Sequence, residues 1–388
     1  MRFPGFLEEW KEATIGEAFE LYSGNTPSRL DKDNFVGDVI WITSGELKEH
    51  YIGDTKEHIS KSSVCDNHLR LLPVGTFVIA IYGLEADGIR GTGSITTKES
   101  TISQACMAFT PKMDISNEFL FSWYKKHGNI IGLKYAQGTK QQNISNDILE
   151  KFKIIYPDKN EQEKLTRFIE LIDQRITAQI GAIEAIESLI TGITSKISRS
   201  NNVKQVYLKD LLTERTERNV DHNEVYSVSV SEGVVNQVEY LGRSFAAADT
   251  SHYSVAHYGD IIYTKSPTGS FPYGIVKRSA ISDPVAVSPL YGVYQPINEN
   301  IGIYLHQYFC SAINAHNYLH RLIQKGAKNT INITNQRFLE NTVSIPDKVT
   351  LEKYVKVIDS LTQKLKNEKC LLESYRRQKF YLLKNMFV

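Results

Sequence analysis

Between about Asp158 and Ser200 the apolar positions obey one rule. Leu165, Ile169, Ile172, Ile176, Gln179, Ile183, Ile186, Ile190, Ile193 and Ile197 alternate steps of four and three without a break, the heptad seam of a helix packed along another helix. Glycines at 181 and 192 lower helix propensity, but no proline interrupts Glu161 to Ser200, so the spacing predicts one helix about 55 to 60 Å long. Such a stripe needs a partner in water. The end of the chain offers one, with Tyr354, Ile358, Leu361, Leu365, Glu368, Leu372, Tyr375, Lys379, Leu382 and Met386 in the same spacing. A shift of 189 residues carries Ile169 onto Ile358, Ile172 onto Leu361 and the polar Gln179 onto the polar Glu368. We therefore expect an antiparallel helix pair. Its interface would take Ile169, Ile172, Ile176, Gln179, Ile183 and Ile186 from one helix, and Ile358, Leu361, Leu365, Glu368 and Leu372 from the other. For Gln179 and Glu368 two readings stand side by side, a polar pair that pins the register or two residues at a wet edge of the seam.

The stretches around these helices read as mixed α and β. Residues 39–42 and 75–80 are apolar and β-branched, as buried strands are. Phe119 to Tyr124 opens a helix with its aromatics expected on one face, Ser145 is placed to cap a short helix reaching Lys151, and Lys153 to Pro157 closes as a strand. From Val203 these signals return in order: residues 207–210 echo 14–17, 259–263 echo 75–79, 304–309 echo 119–124, and Val343 to Pro346 echo Ile154 to Pro157. The offsets drift between 184 and 193, so two halves share one plan with small insertions. Residues 223–240 and 265–274 have no close counterpart in the first half. Matched segments read as scaffold, and unmatched ones as what each half does separately. The expected divisions are 1–157, a globular domain; 158–202, a helix; 203–346, a second domain; and 347–388, a second helix.

Composition narrows the function. A chain of 388 residues is too long for one ordinary core. Cys65, Cys106, Cys310 and Cys370 lie far apart with no CxxC pair, which points to a reducing compartment and away from structural zinc. No secretory leader or membrane-length apolar run is evident, so a cytoplasmic protein with no membrane partner is expected. Lys plus Arg against Asp plus Glu number 17 to 20 in residues 1–157 and 12 to 12 in residues 203–346. Neither domain is basic overall, so binding to nucleic acid would need local patches or a partner.

Motifs of catalysis are missing: there is no phosphate loop, no GxGxxG, no HExxH and no Asn/Asp-Pro-Pro-aromatic tetrapeptide. Pro157-Asp158 followed by Glu163-Lys164 imitates a nuclease carboxylate cluster, but Pro346-Asp347 repeats the same strand end before a helix. His316 and His320 sit one helical turn apart with no further ligand in sight, so no metal and no catalytic residue is assigned.

Several stretches together resemble the specificity subunits of type I restriction-modification systems. In the first half these are Phe3-Pro4-Gly5-Phe6 with Trp10, Thr26-Pro27-Ser28, Trp41-Ile42 followed by Ser44-Gly45-Glu46-Leu47, and Glu161-Gln162. In the second they are Glu217-Arg218-Asn219, Tyr226 to Ser229, Gly233-Val234-Val235 and Leu383 to Phe387. The resemblance implies two similar α/β (α+β) target-recognition domains separated by two long antiparallel coiled-coil helices, with a pseudo-twofold internal repeat. It implies a non-catalytic subunit, each domain reading half of a bipartite double-stranded DNA target. The helices would set the spacing and dock two methyltransferase subunits, with restriction subunits joining through the complex. S-adenosylmethionine, ATP and Mg are then expected on the partner subunits only.

Base reading calls for Arg, Lys, Asn and Gln that reach groove edges. The candidates are Arg29, Lys48, Arg90, Lys140, Gln141 and Gln142 in the first domain, and Lys265, Ser266, Thr268, Ser270, Tyr273, Lys277 and Lys328 in the second. Arg215 and Arg218 are candidates for phosphate. Any one of them is more readily read as a solvated surface side chain, and the loop of residues 265–274 is the better candidate as a set. Outward Glu184, Glu187, Lys196 and Lys366 either face a methyltransferase or simply face solvent. Two other classes stay open: an enzyme whose motifs have become unrecognisable, and a coiled-coil scaffold that assembles protein partners without touching DNA.

Overall fold

A computed structural model describes the chain except residues 1, 87, 139–141, 244–245, 248, 326–330 and 388. It divides into two compact units, Met1–Gln179 with Leu371–Val388, and Ile180–Cys370. Each unit therefore owns one stretch of both long helices.

The first unit opens with β1 (Lys11–Thr14), α1 (Ile15–Ala18) and β2 (Phe19–Ser23). Thr14 caps α1 in a reciprocal box with Glu17, which ends the strand and turns the chain. There follow β3 (Val39–Ile42), β4 (Tyr51–Ile52), β5 (His58–Ile59), α2 (Lys61–Asp66), β6 (Phe77–Ala80), β7 (Gly93–Thr96), β8 (Ser100–Ile102) and β9 (Cys106–Pro111). Helices α3 (Asn117–Tyr135) and α4 (Asn146–Leu149) lead to β10 (Lys153–Tyr156) and the long α5 (Lys159–Ser198). Strands run in the order β2-β9-β6-β7-β4 in one sheet and β5-β3-β8 in another, and β10 returns antiparallel to β1, Thr14 opposite Lys153. All four residues of β6 are buried, as a fully apolar strand between two neighbours should be.

Helix α3 departs from the one-face expectation: Phe119 through Tyr124 are all buried. Phe121 and Tyr124 meet Phe77 of the sheet at 6.0 and 5.7 Å, while Phe119 meets Phe387 at 5.3 Å. Covered on opposite sides, this first stretch of the helix has no face left for solvent, whereas Ile130 and Leu133 further along are exposed. Ser145 precedes α4 without a side-chain capping bond, and the helix stops before Lys151.

The second unit is built in the same sequence: β11 (Val203–Tyr207), β12 (Leu212–Glu214), β13 (Val225–Ser229), β14 (Gly233–Asn236), α6 (Gln237–Leu241), β15 (Ser254–Ala256), β16 (Ile261–Tyr263), β17 (Val276–Arg278), β18 (Val285–Val287) and β19 (Gly292–Pro296). Then come α7 (Glu299–Cys310), α8 (Ala312–His320), β20 (Gln324–Lys325), β21 (Ile331–Asn332), α9 (Asn335–Phe338), β22 (Thr342–Pro346) and α10 (Lys348–Met386). The order β12-β19-β16-β17 reproduces β2-β9-β6-β7, β11 pairs with β22 as β1 does with β10, and the parallel pair β13–β18 matches β3–β8. These pairings repeat between the halves, although the first unit's larger sheet has a fifth strand, β4, and the second unit's β13–β18 sheet has four strands where the β3–β8 sheet has three. A difference lies at Ser311, which ends α7 and caps α8 by accepting from the Asn314 amide, where α3 continues unbroken.

Asp158 and Asp347 each accept amide N–H groups of the first turn of a long helix, Asp158 from Asn160 and Glu161, Asp347 from Val349 and Thr350. These carboxylates cap helices. In the first unit Leu165 and Ile169 join a core with Leu382 and Met386, Lys379 pairs with Asp173, and Arg175 lies 4.5 Å over Tyr375. In the second, Glu187 pairs with Lys369 at 2.8 Å, and the buried Thr194 and Tyr354 hydroxyls meet at 2.8 Å. Within either unit partner numbers fall as α5 numbers rise, so the helices run antiparallel. Ile169, Ile183, Ile186, Ile358 and Leu372 are buried, and Ile172, Ile176, Gln179, Leu361, Leu365 and Glu368 half-buried. Gln179 and Glu368 fall in different units. Against expectation, α5 contains a window of mean hydropathy 1.3, apolar enough by length and composition to cross a membrane. Most of its isoleucines belong to the seam and are spaced for α10, while Leu171 and Leu189 lie off it and are exposed.

Candidate nucleic-acid interface

In the first unit, the loop after β2 is held from beneath. The Trp41 indole donates to the Asn25 carbonyl at 3.2 Å, and the Asn25 amide donates to Ile102 O at 3.2 Å. A Cβ on Gly24 would lie 1.7 Å from Ile102 O, so only glycine fits there. Arg29 stands at the exposed end of this loop, over Phe35 at 4.8 Å, with its fork closed on Glu57 by bonds of 2.9 and 2.8 Å. Lys48 is exposed. Arg90 and Gln142 are brought together: Arg90 Nη2 donates to Gln142 Oε1 at 2.9 Å, and Gln142 N donates to Glu85 at 2.7 Å. Lys140 and Gln141 lie outside the described residues.

In the second unit, residues 265–274 join β16 to β17 as a built loop. Thr268 and Phe271 exchange backbone hydrogen bonds of 3.0 and 2.9 Å, Phe271 is buried, and the Tyr263 hydroxyl donates to Tyr273 O at 2.7 Å. These contacts leave Ser266, Thr268 and Ser270 exposed at the tip. Lys265 begins the loop in the left-handed region, φ 62°, half-buried; burial lowers its pKa, against the pull of Glu214. Tyr273 lies against His316 at 5.1 Å, and the His316 and His320 rings stack at 5.3 Å. Among the described residues no three His, Cys, Asp or Glu side chains gather as a metal site.

Two candidates are placed otherwise than the sequence suggested. Lys277 is buried, with Nζ donating to Cys310 Sγ at 3.4 Å, because β17 directs it inward beneath α7. Arg215 spends its fork on the buried Asp260, at 2.7 and 3.1 Å. Arg218 is exposed and donates one bond, to His252 O at 2.9 Å. Lys328 lies outside the described residues. The loop anchor Phe271 was not singled out from sequence, although a lone aromatic inside Ser266–Pro272 is a readable signal. Gln162, known only as part of a motif, is buried: its amide accepts from Ser116 N and donates to the Asp114 and Pro157 carbonyls, tying α3, β10 and α5 together.

The chemistry offered by these surfaces is that of hydrogen-bond donors and acceptors on anchored loops. Residues 7–188 match the family model of the type I restriction modification DNA specificity domain. The type I restriction enzyme MjaIX specificity subunit of Methanocaldococcus jannaschii is 25% identical over 186 residues, covering 47% of this chain and 42% of that protein. The EcoR124I/EcoR124II specificity subunit of Escherichia coli is 25% identical over 210 residues, 53% of this chain and 48% of that protein. The matches thus span about half the length of these curated relatives. The crystal structure of a type I restriction-modification S subunit from M. genitalium superposes with TM-score 0.59 at 15% identity, covering 100% of this chain and 97% of that one. A chain from a structural study of type I system assembly and conformational transition gives 0.58 at 12% identity, with 97% of both covered. Residues 7–188 are thus similar to a type I restriction modification DNA specificity domain, and the chain has throughout the fold of the solved type I specificity subunits.

Proposed function

We propose that this chain is the DNA-specificity subunit of a cytoplasmic type I restriction-modification complex. Each unit reads one half of a bipartite double-stranded target, and the paired helices set the spacing and dock two methyltransferase subunits. The chain is non-catalytic in this reading; S-adenosylmethionine, ATP and Mg act on the methyltransferase and restriction subunits. The observation that supports it most is the duplication itself. One strand order occurs twice, its first copy lies in a stretch matching a DNA specificity domain, and the loops on the two copies differ. A shared scaffold with unlike loops suits two unlike half-sites. Ser, Thr and Lys side chains on the loop of residues 265–274 supply the donors and acceptors that base edges require, and Arg218 supplies charge for phosphate.

The test is to map methylated adenines in cells holding the neighbouring methyltransferase with and without this chain. Modification within one split motif, present only with the chain, is expected. Identical maps, with the complex shown to assemble, would overturn the reading in favour of a protein scaffold.

A further inference from the structure

Cys310, at the end of α7, faces nitrogen on two sides. Lys277 Nζ lies 3.4 Å from its sulfur and His306 Nε2 3.9 Å. The His306 ring is oriented, because Nδ1 accepts the Arg278 amide at 3.1 Å; the proton of the neutral ring is then on Nε2, towards the sulfur. Lys277 is only 6% exposed, and among the described residues no carboxylate pairs with it. A buried ammonium needs a negative partner, and a sulfur surrounded by N–H donors is best satisfied as an anion. Each group solves the other's problem.

We propose that Cys310, with Lys277 and His306, forms a modification site: an ionised thiol, half-buried, that reacts with small electrophiles and with peroxide-class oxidants at neutral pH. With a peroxide the thiolate sulfur attacks one oxygen, the O–O bond breaks, hydroxide leaves, and sulfur is oxidised to sulfenic acid as the peroxide is reduced. The product is neutral, so Lys277 loses its counter-ion. Lys277 sits in β17, directly after the loop of residues 265–274, so oxidation destabilises the strand that anchors that loop. Burial pushes the thiol up and His306 and then Lys277 draw it down; with His306 neutral, that downward pull rests on the hydrogen bonds of both nitrogens and on the Lys277 charge. Tyr354 on α10 also faces the thiol, whereas the Arg278 side chain of β17 turns away to Glu299 and Tyr258.

The test uses the native full chain with limiting iodoacetamide from pH 5.5 to 9 and peptide mass spectrometry. At pH 6.5 Cys310 should be alkylated about tenfold faster than the exposed Cys65, and its rate should be half-maximal near pH 7. The buried Cys106, pushed up to about 12 by desolvation, should stay unmodified. Lys277→Met should slow Cys310 about fivefold or more at pH 6.5, Lys277→Arg should keep most of the rate, and peroxide followed by dimedone should tag Cys310 first. A Cys310 rate below that of Cys65 from pH 6 to 8, or one that rises only above about pH 8.5, overturns the proposal whether or not the variants fold.

Discussion

Two arginines close together in sequence stand in different surroundings, one closed on a buried carboxylate and one exposed. Arg215 closes on Asp260, whose side chain is buried and which also accepts the His257 amide. Arg215→Ala would leave that carboxylate charged and unpaired, so unfolding should become easier by about 3–5 kcal/mol in urea titration. The salt dependence of DNA binding should stay unchanged. Arg218 spends one bond on a carbonyl at the surface. Its replacement by alanine should cost under about 0.5 kcal/mol of stability and flatten the plot of log affinity against log salt by about one unit, as loss of one phosphate contact does. Sequence alone could not separate them. The partner of Arg215 lies 45 residues away, and nothing local marks Asp260 as buried. The same limit hid Lys277, whose inward direction is fixed by α7 packing over β17. Arg29 and Ser266 were more legible, because turn-forming neighbours already placed them on exposed loops.

The helix seam was readable because a heptad is a local rule, and every position named for it is buried or half-buried. Ile183→Ala and Ile186→Ala should each cost about 2–4 kcal/mol, whereas Leu189→Ala, half exposed between them and Ile190, should cost under about 0.5 kcal/mol. Thermal or urea unfolding of the three variants checks the phase of the stripe. Helix α3 was misread for the opposite reason. Its burial depends on a sheet and a chain terminus distant in sequence, and no periodicity within Phe119–Tyr124 reports a second cover. At the start of α10 the Asp347 carboxylate is held below its ordinary pKa, first by the Thr350 hydroxyl and then by amide N–H groups. A depressed folded pKa gives stability that is present above the ordinary aspartate value and lost as pH falls through the folded one. Asp347→Asn should therefore narrow its stability gap to the natural chain between about pH 5 and pH 2.

At the scale of the whole chain, the repeat was legible in its anchors and not in its strand order. The pairing of β2 with β9 joins residues as far apart as Phe19 and Pro111, which only the folded chain brings together. What the duplication adds is independence. Each unit closes its own sheet, pairs its own first and last strands, and buries its own stretch of the helix seam. A unit that completes its own core can change its loops without disturbing the other's. Exchanging residues 1–157 for the equivalent domain of a relative should thus alter one half of the methylated motif and leave the other half and the spacing as they were. Shortening both long helices by one heptad keeps every a and d residue on the seam, so it should change the spacing while both half-sites persist. Methylation mapping reads both outcomes. If both half-sites change after the domain exchange, recognition is shared between the units, and the duplicated architecture does not correspond to two separate readers.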